Sequence, residues 1–280
     1  MKKVLVIGCS GYIGSHLCKW LQVDYEVHGI DCVPNKSVDP YLTKFWNRDI
    51  VTDDISSEYH YDAVVHLAAL VRVGESVNKP TEYYRTNIFG TDNVITDVSY
   101  DNFILASTGA AAQPASPYAY SKLAAEHIVR QRCTVHTIFR FYNVIGAAGF
   151  PPTNPDGLFS ALIRATETGE FDVYGTDYDT PDGTAIRDYV HVLEICEAIR
   201  LAIERPSVIS GAEVTPLVEN LGHGQGHSVL EMVESFQRVN MVDFRVKALP
   251  RRAGDVPSSV LGDVSPYMKD MVSFEELLRI

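Results

Sequence analysis

No apolar run in the 280 residues approaches the ~20 needed to span a bilayer. The opening MKKVLVIG has a basic start, but its apolar run stops after four residues and glycines follow at 8, 11 and 14. That pattern fits a buried strand better than a secretion signal. Cysteine is sparse: five residues, at 9, 18, 32, 133 and 196, with no CxxC spacing. An odd, scattered set excludes a disulfide framework and a zinc site as organising principles and fits a reducing, cytoplasmic setting. Basic charge is also short. Lys and Arg number 24 against 36 Asp and Glu, for a net charge of −12, which argues against nucleic acid or an anionic membrane as the main partner. There are no repeats and no low-complexity tracts.

Hydrophobic residues, at 46%, are enough for a proper core. Short apolar runs at Val4–Ile7, Tyr25–Asp31, Asp62–Ala69, Asn102–Ala106 and Val135–Phe139 read as strands. Helical patterns lie between them, at 13–21, 80–98 and 117–132. Alternation of this kind predicts an α/β fold with a parallel sheet. From about Gly146 the texture changes. Gly, Pro, Asn and Asp crowd 146–157 and 175–184, with clear helices only at 192–203 and 228–238. The expectation is a nucleotide-binding body followed by a smaller, loop-rich part.

Gly8, Gly11 and Gly14 form GxxGxxG after the first strand and before an amphipathic helix. Glycines there let the backbone turn sharply and approach a pyrophosphate seated on the helix N-terminus. Asp31 ends the next strand, where an acid accepts from a ribose 2′-hydroxyl and repels a 2′-phosphate, so NAD is expected over NADP. Downstream, the stretch STGAAAQPASPYAYSK (107–122) holds two tyrosines. Tyr118 and Lys122 share a helix face one turn apart, and a neighbouring ammonium favours the phenolate. Tyr120 has Ala124 at that offset. Ser116 and Pro117 suit a helix N-cap and first turn. Thr108 ends the strand before them. His66, in an apolar strand, reads as a satisfied core histidine. His223 and His227 are separated by glycines and read as turn residues, not a metal pair. Cys9 reads as a small filler.

The glycine loop, Asp31, Thr108, Tyr118 and Lys122, in this order, resemble the extended branch of the short-chain dehydrogenase/reductase superfamily, the nucleotide-sugar epimerases and dehydratases. HLAALVRVGESVNKPTEYYRTNIFGT (66–91) and FRFYNVIGA (139–147) are similar to two further stretches of that branch. DGTAIRDYVHV (182–192), NLGHGQGHSVLEMVESF (220–236) and RRAGDVP (251–257) resemble the UDP-glucose 4-epimerase family in particular. The resemblance implies a Rossmann-like doubly wound parallel sheet with a smaller mixed C-terminal part. An NAD-binding domain would span 1–145, with 185–205 returning to it. A nucleotide-sugar-binding domain would be built from 146–184 and 206–280.

It also implies roles. Gly8, Gly11, Tyr12, Ile13, Gly14 and Asp31 would hold NAD, with Asp49 and Ile50 at the adenine. Leu67, Ala68, Ala69, Asn87 and Tyr142 would complete the cofactor site. Thr108 would bond the sugar hydroxyl, Tyr118 would act as base and then acid, and Lys122 would bind nicotinamide ribose and tune Tyr118. Asn143, Arg187, Arg252, Asp255 and Ser259 would hold the UDP-sugar, Arg forks suiting a diphosphate. The implied partner is a second copy of the chain, paired through the helices at 80–98 and 117–132.

Three departures stand out. The segment 109–116 is shorter than in relatives. Val71 replaces a lysine beside the cofactor. Ser259 is small where a tyrosine accompanies plain hexoses, which predicts room for UDP-N-acetylhexosamines. Gly109 and Ala110 follow Thr108 where a dehydratase needs an acid, which argues against dehydration.

Overall fold

The computed structural model describes residues 1–205, 217–252, 255–269 and 271–280. Residues 206–216, within the expected C-terminal domain, and Ala253 and Gly254 of the RRAGDVP motif lie outside the described residues. The chain divides into two compact units: Met1–Phe141 with Cys196–Glu219, and Tyr142–Ile195 with Asn220–Ile280. Among the described residues no helix is long and apolar enough to cross a membrane.

In the first unit the order is β1 (Lys3–Ile7), α1 (Tyr12–Leu21), β2 (Glu26–Asp31), β3 (Lys44–Asn47), β4 (His60–His66), α2 (Val73–Asn78), α3 (Pro80–Tyr84), α4 (Gly90–Asp97), β5 (Ser99–Thr108), α5 (Pro117–Arg132) and β6 (His136–Phe141). β1 lies between β2 and β4, and the sheet continues through β3 on one side and through β5 and β6 on the other. These six strands pair in parallel. Strands buried on both faces need continuous apolar runs, and Val4, Leu5, Val6 and Ile7 are fully buried. The core joins Leu5, Ile7, Val64, Phe103, Leu105 and Ile138 to Ala125 and Val129 of α5. The chain leaves β1 in one direction for β2 and β3, then returns to β4 on the other side. Between β1 and β4 this makes a crevice outside the strands' carboxyl ends, where an open α/β sheet binds ligands.

The helix expected at 80–98 is interrupted. A single π turn, Arg85–Phe89, separates α3 from α4. It inserts one residue into the helical repeat and swings Asn87 inward, where it is buried. Strands β4 and β5 start earlier than their apolar runs suggest, because parallel pairing extends back through His60↔Ser99 and Tyr61↔Tyr100.

In the second unit, β7 (Asn143–Ile145), α6 (Leu158–Thr168), β8 (Glu170–Tyr174) and β9 (Ile186–His191) precede α7 (Val192–Ile203), whose later residues belong to the first unit. Then come β10 (Leu217–Leu221), which begins in the first unit, and β11 (Gly226–Ser228), α8 (Val229–Asn240), β12 (Arg245–Leu249), β13 (Ser258–Ser259) and α9 (Phe274–Leu277). β10 adds a seventh strand beside β6. β9 is flanked by β11, β13 and β7, and β8 pairs with β12 in parallel. A separate core of Phe159, Leu162, Phe171, Met232, Phe236 and Phe244 packs α6 and α8 against these strands. Ser228 starts α8 with a full capping box, its Oγ accepting from Glu231 N–H while the Glu231 carboxylate accepts from Ser228 N–H.

Glycine spacing sets the tightest packing. A Cβ on Gly14 would lie 2.1 Å from Gly8 O, whereas one on Gly74 in α2 meets nothing. Gly14→Ala is expected to cost about 3 kcal/mol through overpacking. Gly74→Ala is expected to gain about 0.5 kcal/mol through unfolded-state entropy. Urea titration of the two variants beside the parent checks both signs.

Candidate active site

β1 ends at Ile7, and Gly8 turns the chain with φ +89°, a region L side chains rarely adopt. A Cβ on Gly8 would sit 2.6 Å from Ala68 N, so the backbones after β1 and β4 touch directly. Leu67 and Ala68 N–H groups both donate to Ile7 O, at 2.8 and 3.0 Å. Gly11 precedes the first residue of α1 with no side chain capping it, and Tyr12, Ile13 and Gly14 form the first turn. Asp31, at the end of β2, accepts from Ser10 N–H at 3.0 Å through Oδ2 and from Val33 N–H at 3.0 Å through Oδ1. A backbone cradle that tolerates no Cβ, open helix N–H groups and a carboxylate across from them fit a dinucleotide: pyrophosphate on the helix, ribose on Asp31.

Around that cradle, Asp49 Oδ1 accepts from Val51 N–H at 2.8 Å. Ile50 is buried, and its carbonyl accepts from Asn93 Nδ2 at 2.9 Å. Ala69 continues the loop that leaves β4, and Asn87 holds that loop. Leu70 N–H donates to Asn87 Oδ1 at 2.8 Å, and Asn87 Nδ2 donates to Leu70 O at 3.0 Å and to Ser121 Oγ at 2.9 Å. Asn87 therefore pins the loop, and the π turn points it there.

α5 carries the reactive groups. Ser116 caps it, accepting from Ala119 N–H at 3.2 Å. Tyr118 and Lys122 lie one turn apart on it, while Tyr120 is 54% exposed. Burial therefore separates the two tyrosines. The electrostatics differ from the simple expectation of a lowered phenol. Burial pushes Tyr118 up to about 12, and the Thr108 hydroxyl beside it pulls the other way. Lys122 is 4% exposed and is pushed down to about 8 by burial, with Glu126 opposing that fall. Desolvation is the larger cause for both groups, and helix spacing alone does not display it. Thr108 Oγ1 also accepts from Ala110 N–H at 3.3 Å, capping the short turn Gly109–Ala112.

His66 departs from the sequence expectation. Thr91 Oγ1 donates to Asn87 O at 2.8 Å, so the 3.0 Å contact between His66 Nε2 and Thr91 Oγ1 requires Nε2 to be the donor. Its Nδ1 is buried with no partner. Burial, with Lys122 adding to it, lowers the ring to about 3, so it stays neutral.

In the second unit, Tyr142 N–H donates to Leu221 O at 3.0 Å, and Asn143 Nδ2 donates to Asp188 O at 2.9 Å. Ser259 pairs in register with Arg187. Arg187 Nη2 lies 3.8 Å from Asp255 Oδ1, and Asp255 N–H donates to Arg252 O at 3.3 Å. The Arg252 guanidinium lies 3.8 Å over the Tyr174 ring. Asn143, Arg187, Arg252, Asp255 and Ser259 thus gather around β9 and the strand beside it. His223, between β10 and β11, also has a partner: its Nε2 lies 2.8 Å from the buried Glu194 carboxylate.

Sequence reading missed Tyr83, Ser121 and Glu126. Arg72 N–H donates to Tyr83 Oη at 3.0 Å, and the Tyr83 hydroxyl faces Arg72 O at 2.8 Å and Glu75 Oε2 at 3.1 Å, so this fully buried phenol ties down both backbone groups of Arg72 on the cofactor-side loop. Its ring meets Tyr118 edge-on at 6.4 Å. The available signal was spacing: Tyr83 precedes Asn87 by four, and Ser121 and Glu126 flank Lys122 on α5.

Comparison with known proteins gives a consistent set. The model of the NAD dependent epimerase/dehydratase family matches residues 4–215. The chain is 32% identical over 298 residues to a UDP-glucose 4-epimerase of Haemophilus influenzae, covering 90% of this chain and 87% of that protein. It resembles the crystal structure of UDP-glucose 4-epimerase from Brucella ovis in complex with NAD at TM-score 0.87 and 30% identity, covering 100% of this chain and 97% of that one. A UDP-glucose-4-epimerase from Stenotrophomonas maltophila, with bound NAD and formylated UDP-arabinopyranose, also gives TM-score 0.87, at 28% identity over 99% of this chain and 96% of that one.

The Tyr83 clamp yields a prediction. Tyr83→Phe keeps the ring edge against Tyr118 but removes the hydroxyl that meets the Arg72 N–H, the Arg72 carbonyl and the Glu75 carboxylate. It is expected to cost about 2 kcal/mol in urea unfolding.

Proposed function

The chain belongs to the NAD dependent epimerase/dehydratase family, and from that premise we propose that it interconverts UDP-hexoses at C4. The carrying observation is Tyr118 on α5, with the Thr108 hydroxyl beside it and Lys122 one turn on, in the unit that holds the glycine cradle. In this reading the cofactor is NAD, held by Gly8, Gly11, Gly14 and Asp31, with Asn87 fixing the loop at Leu67–Ala69. When bound, NAD supplies the oxidation and re-reduction of C4, so the sugar passes through a transient 4-keto form. Tyr118 as phenolate takes the proton of the sugar 4-hydroxyl and later returns it. Thr108 orients that hydroxyl. The Lys122 ammonium offsets the cost of a buried phenolate and holds a ribose hydroxyl. Arg187, Arg252, Asp255 and Asn143 receive the UDP part, Arg187 and Arg252 matching diphosphate oxygens.

Ser259 beside Arg187 favours a pocket that also takes UDP-N-acetylhexosamines. Gly109 and Ala110 put no carboxylate after Thr108, so expulsion of water from C5–C6 lacks its acid, which disfavours the dehydratase reading. A cytoplasmic homodimer is the assembly this reading carries. Its support is the exposed Phe89, at 62%, on the helical stretch 80–97, with Tyr84 and Tyr120 also exposed.

The test is direct. Purified protein with UDP-galactose and NAD is expected to form UDP-glucose, read by chromatography of the UDP-sugars. Tyr118→Phe is expected to lower turnover by ~10³-fold or more while retaining NAD. A parent protein that binds NAD and UDP yet turns over no UDP-sugar would mark an idle nucleotide-binding homologue instead.

A further inference from the structure

Behind the reactive face of α5 lies a carboxylate that the reaction does not touch. Glu126 follows Lys122 by one turn and is fully buried. Four donors converge on it or flank it from three elements. Ser107 Oγ of β5 donates to Oε1 at 2.6 Å. Arg140 of β6 donates through Nε to Oε1 at 2.8 Å and through Nη2 to Oε2 at 2.6 Å. Arg130, one turn further along α5, reaches Oε2 at 3.4 Å. Ser107 is the residue before Thr108, so the Glu126 carboxylate joins the strand bearing the hydroxyl to the helix bearing the phenol and ammonium.

We propose that Glu126 is a positioning residue for the epimerisation: its buried carboxylate keeps Lys122 an ammonium and fixes α5 against the strand that carries Thr108. The proposal rests on the 4-epimerase reading above for its kinetic consequence, though not for its electrostatic one. Burial drives Lys122 toward the neutral amine, and Glu126 is the group that opposes this. The other groups facing Lys122 give no such help. Tyr118 on the same helix is neutral when protonated, and His66 of β4 is held neutral and would only repel a cation if charged. Arg140 and Arg130 are spent on Glu126 itself, and Ser107 and Thr108 carry no charge. A neutral Lys122 would leave a phenolate at Tyr118 without a counter-charge, so the ammonium must survive to the working pH.

The test is Glu126→Gln, which keeps an amide oxygen for Ser107 and Arg140 Nε but removes the charge. In protein labelled with [ε-¹³C]lysine, the Lys122 resonance is assigned by its loss in Lys122→Met, and its titration midpoint is followed by NMR. The parent midpoint is expected near 8, and that of Glu126→Gln about one unit lower. The limb on which kcat/KM for UDP-galactose falls with rising pH should move to lower pH by the same amount, with KM nearly unchanged. A folded Glu126→Gln with an unmoved Lys122 midpoint overturns the proposal, because a purely structural carboxylate would change stability and not that titration. In an active enzyme, a moved midpoint with an unmoved kinetic limb overturns it as well. Should Glu126→Gln not fold, Arg130→Gln at the half-exposed end of the network carries the test. Removing that cation leaves Glu126 less neutralised, so the Lys122 midpoint should rise by a few tenths of a unit. A fall or no change overturns the proposal. A parent that does not epimerise at all would defeat the functional reading alone, since the NMR titration needs no turnover.

Discussion

At Gly8 and Gly14 the chain packs backbone against backbone, with room for no side chain at either position. Everything the first unit offers a dinucleotide depends on that approach. It brings the loop after β4 to the end of β1, where Leu67 and Ala68 share the Ile7 carbonyl. It starts α1 with its N–H groups free of a capping side chain. It also lets Asp31 reach across to Ser10 N–H, which fixes the orientation of that carboxylate. The open crevice between β1 and β4 follows from strand order, but its floor follows from two missing Cβ atoms.

The second constraint is electrical. α5 brings a phenol, an amine and a carboxylate into a sheet-covered site along one helix, and each pays a different desolvation penalty. Burial raises Tyr118 against the pull of the Thr108 hydroxyl and lowers Lys122 against the pull of Glu126. Both shifts favour the uncharged forms. Glu126 works against the second shift, and its own burial is compensated by the bidentate Arg140 fork and the Ser107 hydroxyl. In the proposed reaction the carboxylate sits behind the reactive face, so it supplies charge without competing with Tyr118 for a substrate proton.

Local chemistry was legible in the sequence where it repeats at a fixed offset. The GxxGxxG turn, Asp31 at a strand end, Ser116 as N-cap and the preference for Tyr118 over Tyr120 all follow from spacings of two to four residues. Groups that act through tertiary contacts were not legible. Tyr83 bonds a peptide eleven residues away, Asn87 bonds a loop seventeen away, and Ser107 meets a carboxylate nineteen away. No window of a helix or strand contains those pairs. The π turn at Arg85–Phe89 was hidden for a related reason: an inserted residue shifts the helical phase, and what favours it is the buried contact Asn87 makes afterwards. The orphan Nδ1 of His66 and the direction of the Tyr118 shift are both consequences of burial depth, which residue spacing does not encode.

The short segment 109–116 shows how these levels combine. It carries one four-residue turn, capped by Thr108 at its start, before Ser116 opens α5. If the connection itself set the distance from hydroxyl to phenol, shortening it would displace one from the other. Ser107 and Glu126 remove that dependence, because the strand and the helix are tied directly beneath the site. The loop is then free to shrink without moving Thr108 or Tyr118. In the proposed reading its length bears instead on the wall of the sugar site. Gly109, Ala110, Ala111 and Ala112 offer that wall no charge, and only Ala111 of the three alanines is buried. In the proposed reading, selection of the sugar on this side falls to shape, while the chemistry stays with groups whose positions the loop does not determine.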